Sequence, residues 1–348
     1  MIFEVDNKIW QKDIESIAND KIIDSFKNSN VLITGATGLI GKELVFSFLC
    51  ANRLKNLNIK VIALIRNLDK ANEIFKNVIN NDNFEIIVQD ILKPIAYNKK
   101  IDYIIHCANS TSSKEMLEKP VEMIEVIYLG TKNVLDFAKQ NDIKSVLYLS
   151  SLEIYGLLEK EGLINEEDFG YIDLNNPRNS YPEAKRMAEN LCSSYANEFN
   201  LDIKIARLTQ TFGAGISLDD NRVFAQFAKS AFEKKDIILH TKGETIRNYC
   251  YLTDAIIGLL TILVKGEKSK SYNLANKNTK ISILDMAKLV AKQNDINVRF
   301  EIDDINRGYN PKIIACLNPE KLENLGWNPK VELGEMFERL IKYLKENK

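Results

Sequence analysis

The stretch VLITGATGLIGKELV, residues 31–45, decides how this chain folds. Its first four residues are apolar or β-branched and read as a short buried strand. Glycines follow at 35, 38 and 41, and KELVFSFLCANRL then continues with the spacing of a helix. Glycine permits a tight turn and lets an anion approach backbone N–H groups at a helix N-terminus, where the macrodipole also favours negative charge. Glycines also end strands for purely structural reasons. Its place directly after the first strand is what points this turn toward phosphate binding.

Outward from the turn, strand-like runs alternate with helical ones. KVIALI (60–65), FEIIVQD (84–90), IDYIIHCA (101–108), SVLYLSS (145–151) and DIKIARLT (202–209) read as strands. KANEIFKNVI (70–79), PVEMIEVIYLGTKNVLDFAKQ (120–140) and the stretch opening NSYPEAKRMAEN (179–190) read as helices. Strongly apolar strands alternating with helices specify a parallel sheet covered on both faces. The expected class is therefore α/β, with a doubly wound parallel sheet. Residues 1–29 are polar, helical around IESIANDKIIDSF, and form an N-terminal helical extension. After Gly213 the pattern loosens into loops, a helix and short strands, with further helices near ISILDMAKLVAKQ and GEMFERLIKYLKE. The expected division is an extension over 1–29, a dinucleotide-binding domain over 30–212 with returning segments, and a smaller, mainly substrate-binding α/β lobe over 213–348. In this class ligands sit in the crevice at the carboxyl ends of the strands.

Composition narrows the partners. The chain has 348 residues, 45% of them hydrophobic, enough for a substantial core. Its 47 basic and 48 acidic residues nearly cancel and no basic block is interleaved with aromatics, so a small molecule rather than a nucleic acid is expected. Cys50, Cys107, Cys192, Cys250 and Cys316 are odd in number and scattered without CxxC spacing, which argues for reduced thiols and against a zinc site. With only His106 and His240, no metal site and no Ser-His-Asp triad is expected. No apolar window approaches the ~18 residues of a membrane span, and the opening MIFEVDNKIWQKD is no secretory signal; a cytoplasmic location follows by default.

GxxGxxG at 35–41 together with Tyr-Pro-Glu-Ala-Lys at 181–185 resembles the extended short-chain dehydrogenase/reductase family, whose members largely act on nucleotide-linked sugars. The similarity runs from about residue 30 to about residue 340. It implies a Rossmann domain in which Gly35, Thr37, Gly38, Leu39, Ile40 and Gly41 receive a dinucleotide and Asp90 and Ile91 hold its adenine. IIHCAN at 104–109, with Ala108, lines the same cofactor. The residue-level alternative for Asp90 is a turn at the end of a strand. Arg66 closes KVIALIR where NAD-preferring enzymes place an acid for the ribose hydroxyls; an arginine there can pair with a 2′-phosphate, so NADP(H) is expected, with NAD(H) the alternative.

SVLYLSSLEIYG resembles the segment that carries the family's catalytic Ser or Thr, here Ser151, and the resemblance completes a triad with Tyr181 and Lys185. Tyr181 and Lys185 are one helical turn apart. A phenol with pKa near 10 is a poor base at neutral pH, and a close ammonium together with the nicotinamide charge favours its phenolate. Lys185 also holds a ribose hydroxyl in this reading, and Ser151 hydrogen-bonds the reacting oxygen. One departure stands out: where relatives carry an Asn three residues before a Gly-Thr pair, this chain has Ile127 before Gly130-Thr131.

On the substrate side, RLTQTFGAG (207–215) resembles RxxNxYGPG, with Gln210 standing for the Asn that contacts a diphosphate. NRVFAQF (221–227) resembles the segment that closes over the nucleotide and brings Arg222 and Val223. GETIRNYCYLTD (243–254) offers Arg247 as the phosphate ligand, a task suited to its planar donors. Family dehydratases carry an Asp-Glu pair after the catalytic Thr; here Leu152 cannot protonate a leaving hydroxyl, while Glu153 remains available as a base. The expected function is an NAD(P)-dependent oxidoreductase acting at C4 of a nucleotide-diphosphate sugar, as a 4-keto reductase or a 4-epimerase. A 4,6-dehydratase or a uronic acid decarboxylase is the alternative, and a cofactor-binding scaffold without chemistry is the reading from another class. The resemblance also implies a homodimer through the helices at 121–139 and 183–198.

Overall fold

The computed structural model describes residues 4–109, 113–158, 162–302 and 314–347. The first helix, α1 (Lys8–Asn19), starts earlier than its sequence suggests because the Asn7 side chain accepts from the Trp10 N–H at 3.0 Å. It stops at Asp20, whose carboxylate caps a separate 3₁₀ turn over Lys21–Phe26.

The chain then runs through β1 (Asn30–Thr34), α2 (Leu39–Lys55), β2 (Lys60–Ile65), α3 (Leu68–Ile74), β3 (Phe84–Val88), β4 (Tyr103–His106), α4 (Ser113–Glu118), α5 (Pro120–Gln140), β5 (Ser145–Ser151), α6 (Ser180–Glu198) and β6 (Ile203–Leu208). α3 begins early because Asn67 caps it, and ends before the Asn-rich run NVINNDN, which favours turns. Beyond β6 follow β7 (Gln210–Phe212), α7 (Val223–Glu233), β8 (Ile237–Leu239), β9 (Ile246–Tyr251), α8 (Leu252–Lys265), β10 (Ser271–Leu274), β11 (Asn276–Ser282), α9 (Ile283–Asn294), β12 (Val298–Phe300), β13 (Ile314–Ala315), α10 (Glu320–Glu323) and α11 (Leu333–Glu346).

A seven-stranded sheet in the order β3-β2-β1-β4-β5-β6-β10 forms the centre, and every neighbouring pair in it is parallel. β1 pairs with β2 on one side and β4 on the other, so the strand order reverses at β1 and leaves a crevice at its carboxyl end. Alternation along β1 decides which core each residue joins. Val31 and Ile33 pack with α1, α2 and α8 through Ile17, Phe46 and Leu259, whereas Leu32 packs with α5 and α6 through Val134 and Ala188. Burying each such side chain stabilises by roughly 1.5–3 kcal/mol.

A third core gathers α7, α9 and α11 around β9; Phe212 stacks on Phe224 with ring centroids 4.4 Å apart. β9 anchors a small mixed sheet with β7, β11 and β13. Among the described residues no helix is long and apolar enough to cross a membrane.

Candidate active site

The glycine turn sits where the strand order reverses. Gly35 has φ +63°, and a Cβ there would stand 2.8 Å from both the Cα and the N of Ala108. Gly41 is equally confined, since a Cβ would fall 2.4 Å from the Gly35 carbonyl oxygen. α2 starts at Gly38 without a side-chain cap, so its first N–H groups are left to the crevice. The far wall is fixed by a buried chain. The Ala108 N–H donates to Thr34 Oγ1 at 3.2 Å, Thr34 Oγ1 meets His106 Nδ1 at 2.7 Å, and His106 Nε2 meets Thr131 Oγ1 at 3.2 Å. Burial holds the His106 imidazole down to about 3, so it serves here as a neutral strut.

Two cavities meet at this turn and share Gly35, Gly38, Cys107 and Asn109. The first is lined by Thr37, Arg66, Asp90, Ile91 and Ala108. Asp90 both faces it and forms a turn, its carboxylate accepting from the Leu92 N–H at 3.0 Å. Arg66 lies exposed at the rim, with Lys70 in the same cavity. Gly130 lets α5 approach Ile91 closely, since a Cβ there would stand 3.2 Å from Ile91 Cγ2.

The second cavity is lined by Leu39, Ile40 and Gly41 on one side, Ser151, Glu153 and Tyr181 on the floor, and Gln210, Arg222 and Arg247 opposite. Of the residues singled out from the sequence, Lys185 and Val223 line neither cavity. Lys185 is 1% exposed, in the next helical turn after Tyr181, and Val223 is the half-buried first residue of α7, after Arg222.

The chain places Ser151 and Tyr181 by two local devices. Ser151 ends β5, and its Oγ accepts the Glu153 N–H at 3.2 Å, turning the chain into a 3₁₀ segment over Leu152–Tyr155. Tyr181 is set at the start of α6 by a short turn over Pro177–Asn179 that Asn176 caps. Ser151 and Tyr181 line the same cavity, and the Ser151 side chain works to lower the Tyr181 phenol. Lys185 Nζ donates to the Leu149 carbonyl at 2.6 Å and lies 4.6 Å from the Tyr148 ring centroid and 5.9 Å from that of Tyr181.

Burial pulls the Lys185 ammonium down to about 7, against the pull of Glu189. Burial pushes the Tyr181 phenol well above its usual value, the Glu153 carboxylate adds to this, and Ser151, Arg178 and Arg222 oppose it. The expectation that the neighbouring ammonium makes the phenol acidic is thus not met by the protein alone, because desolvation dominates.

Glu153 is tied down by Arg178, whose Nη2 lies 3.0 and 3.2 Å from its two carboxylate oxygens. Leu152 is 8% exposed and apolar, so it holds no proton to give. Ile127 is buried among the α5 and α6 side chains and offers only its carbonyl, which accepts from Thr131 Oγ1 at 2.5 Å. On the opposite wall Arg222 is engaged by the Asp220 carboxylate, with Nε 3.0 Å from Oδ1 and Nη2 2.5 Å from Oδ2. The Arg247 side chain, on β9, makes no hydrogen bond or ion pair among the described residues and lines the cavity.

A sequence profile described as the NAD dependent epimerase/dehydratase family matches residues 31–275. The chain belongs to that family. UDP-glucuronic acid decarboxylase 4 of Arabidopsis thaliana is similar to it, 30% identical over 312 residues that span 90% of this chain and 68% of the relative. Among solved structures, the epimerase Mth375 of Methanothermobacter thermautotrophicus superposes with a TM-score of 0.79 at 23% identity, covering 94% of this chain and 95% of the other. UDP-glucuronic acid 4-epimerase from Bacillus cereus in complex with NAD gives a TM-score of 0.71 at 24% identity, covering 91% and 99%.

In this epimerase/dehydratase family member, two site features escape the sequence. Arg178 lies three residues before Tyr181, but nothing in Asn-Pro-Arg-Asn announces a partner 25 positions away. The pairing depends on two 3₁₀ turns whose meeting no periodicity encodes. Nor does spacing show that Arg222 arrives already paired while Arg247 does not. An aspartate two residues before Arg222 was the available signal.

Proposed function

We propose that the protein binds a nicotinamide dinucleotide across the glycine turn and acts at C4 of a nucleotide-diphosphate-linked sugar. The observation that carries this is that Ser151 and Tyr181 line one cavity together with Gly35 and Gly38, with Lys185 buried behind them in the next turn of α6. The fit to such a cofactor rests on uncapped N–H groups at α2 and on a Gly35 position that any side chain would fill. Bound there, the nicotinamide supplies a hydride acceptor and donor. Tyr181 exchanges the proton of the C4 hydroxyl, Ser151 hydrogen-bonds the same oxygen, and Lys185 supplies positive charge and a donor for a ribose hydroxyl. Arg247, which has no protein partner among the described residues, suits the diphosphate, with Gln210 beside it.

The family description and the NAD of the Bacillus cereus neighbour turn the cofactor reading from NADP(H) toward NAD(H). Arg66 and Lys70 keep NADP(H) as the alternative. With that shift the 4-keto reductase loses its main support, and reactions that return the hydride to the sugar gain. Decarboxylation of a nucleotide-linked uronic acid comes first, supported by the decarboxylase relative. It asks for no acid at position 152, because a ketone at C4 makes the C6 carboxylate a β-keto acid that leaves as CO₂. The second reading, 4-epimerisation or 4-keto reduction, needs no acid or base besides Tyr181, and the Glu153 carboxylate is already held in an ion pair with Arg178. A homodimer through α5 and α6 fits the exposed Val121 and Ile124 on α5 and Met187 on α6.

The test is incubation with UDP-glucuronic acid, UDP-glucose and nucleotide-linked 4-keto sugars, with NAD(H) and NADP(H) supplied separately. Released CO₂ with a pentose product supports the first reading. An epimer without CO₂, or oxidation of added reduced cofactor by a keto sugar, supports the second. Bound cofactor without turnover of any sugar supports a scaffold. Tyr181→Phe should lower turnover at least about 100-fold while cofactor affinity stays within a few-fold; unchanged turnover refutes the assigned role.

A further inference from the structure

Lys185 is buried in a dry pocket that works against its charge, and the sequence does not say what opposes that loss. The groups facing it come from three elements. α6 brings Tyr181 one turn before it, Glu189 one turn after it, and Cys192. β5 brings the Tyr148 ring, and the end of β4 brings His106 and Cys107. Burial raises Tyr148, Tyr181, Cys107 and Cys192 and lowers His106, so these groups are neutral. Glu189 is the one carboxylate among them. α5 adds no charged group: it brings the buried Ile127 to the same core and Thr131 to His106.

Glu189 is itself fixed. Arg207 on β6 grips it from Nε at 3.1 Å to both oxygens and from Nη2 at 2.7 Å, and both residues are buried. The remaining Arg207 donor, Nη1, reaches Tyr155 Oη at 3.0 Å and the Glu166 carbonyl at 2.5 Å. The clamp therefore ties α6 to β6 and to the turn that carries Glu153.

We propose that Glu189, clamped by Arg207, is a positioning residue that keeps the Lys185 ammonium charged inside the cleft. The inference rests on the role proposed for Lys185, and it gives that lysine a counter-charge from the next turn of its own helix. A carboxylate on the same helical face in a water-poor setting acts on the ammonium far more strongly than it would in water. Arg207 works in both directions, since it orients the carboxylate while its own positive charge offsets part of the effect. This double role separates the proposal from a merely structural ion pair. With Glu189→Gln the guanidinium stays and Lys185 must release its proton at lower pH. With Arg207→Gln the carboxylate stays unopposed and Lys185 must hold its proton to higher pH.

The experiment follows the ¹³Cε resonance of Lys185, assigned with Lys185→Arg, from pH 5 to 11 in the wild type and both variants. Circular dichroism shows which variants fold. Glu189→Gln should move the midpoint toward acid by about one pH unit, a tenfold change in the proton equilibrium, and Arg207→Gln should move it toward base. Either variant leaves one buried charge unpaired, so the charge-free double variant Glu189→Gln/Arg207→Gln carries the test if a single one does not fold. Its midpoint should also fall, by less. A midpoint unmoved in the double variant, or single variants shifting in the same direction, overturns the proposal. If the midpoints move as expected but Tyr181→Phe keeps full turnover, the catalytic reading fails and the hold of Glu189 on Lys185 stands.

Discussion

At Gly35 the chain adopts a left-handed conformation and brings its backbone against Ala108, a combination no L side chain accommodates. Gly35→Ala should therefore cost at least about 1–3 kcal/mol of stability and abolish cofactor binding. Gly38, whose Cβ would meet only the Gly35 carbonyl at 3.2 Å, should tolerate alanine far better. Calorimetric unfolding and titration with NAD(H) check both; equal losses at the two positions would refute the argument. The arginines of the opposite wall divide in the same way. Arg247→Ala should weaken binding of a nucleotide-diphosphate sugar by about 10- to 100-fold, the loss of charge-assisted contacts worth about 1.5–3 kcal/mol. Arg222→Ala should cost less, because its donors are already spent on Asp220. Calorimetric titration with UDP and UDP-sugars decides between them. Both arginines were visible in the sequence as phosphate candidates, but their ranking was not, since it depends on whether a partner stands within reach.

Single elements were legible where period and punctuation agree. α5 occupies residues 120–140 as its sequence suggests, with Pro120 at its first position and apolar residues spaced to face the sheet. α6 and the central strands were readable for the same reason. The 3₁₀ turns over Leu152–Tyr155 and Pro177–Asn179 were not, because their shape is fixed by single hydrogen bonds from Ser151 and Asn176. α2 hides a further feature. Glu43 is fully buried, its Oε2 accepts the Trp10 indole N–H at 2.5 Å, and burial pushes its carboxyl up to about 8. An acid raised in the folded state keeps its proton at pH values where the unfolded chain has released it. Between about 4.5 and 8 the folded form binds the extra proton, so this group makes stability fall as pH rises through that window. Glu43→Gln stays neutral throughout and still accepts from Trp10. The Tm of the wild type relative to this variant should decline from pH 5 to 8 and then level off; a difference independent of pH would refute the assignment.

On the scale of the whole molecule, alternating strands and helices disclosed the parallel sheet and its crevice, because that alternation is written locally. The role of the first residues was not written locally. Asp13 accepts from Tyr251 Oη at 2.5 Å and from Arg339 Nη1 at 2.9 Å, partners 238 and 326 positions away. Trp10 reaches Glu43 on α2 and packs edge-on against Tyr343 of α11, with centroids 6.3 Å apart. Lys42, in the first turn of α2, donates to the Gly215 carbonyl at 2.8 Å and lies 4.9 Å from the Trp10 ring. A short polar prefix thus touches α2 just beyond the glycine turn, the strand bearing Arg247 and the last helix.

No residue of α1 lines either cavity, yet α1 is fastened to both walls of the cleft they form. Any rocking of those walls must drag or peel α1 with it. Its amide protons should then report ligand occupancy at a distance, with deuterium uptake over Lys8–Asn19 slowing when a dinucleotide and a sugar nucleotide draw the cleft shut.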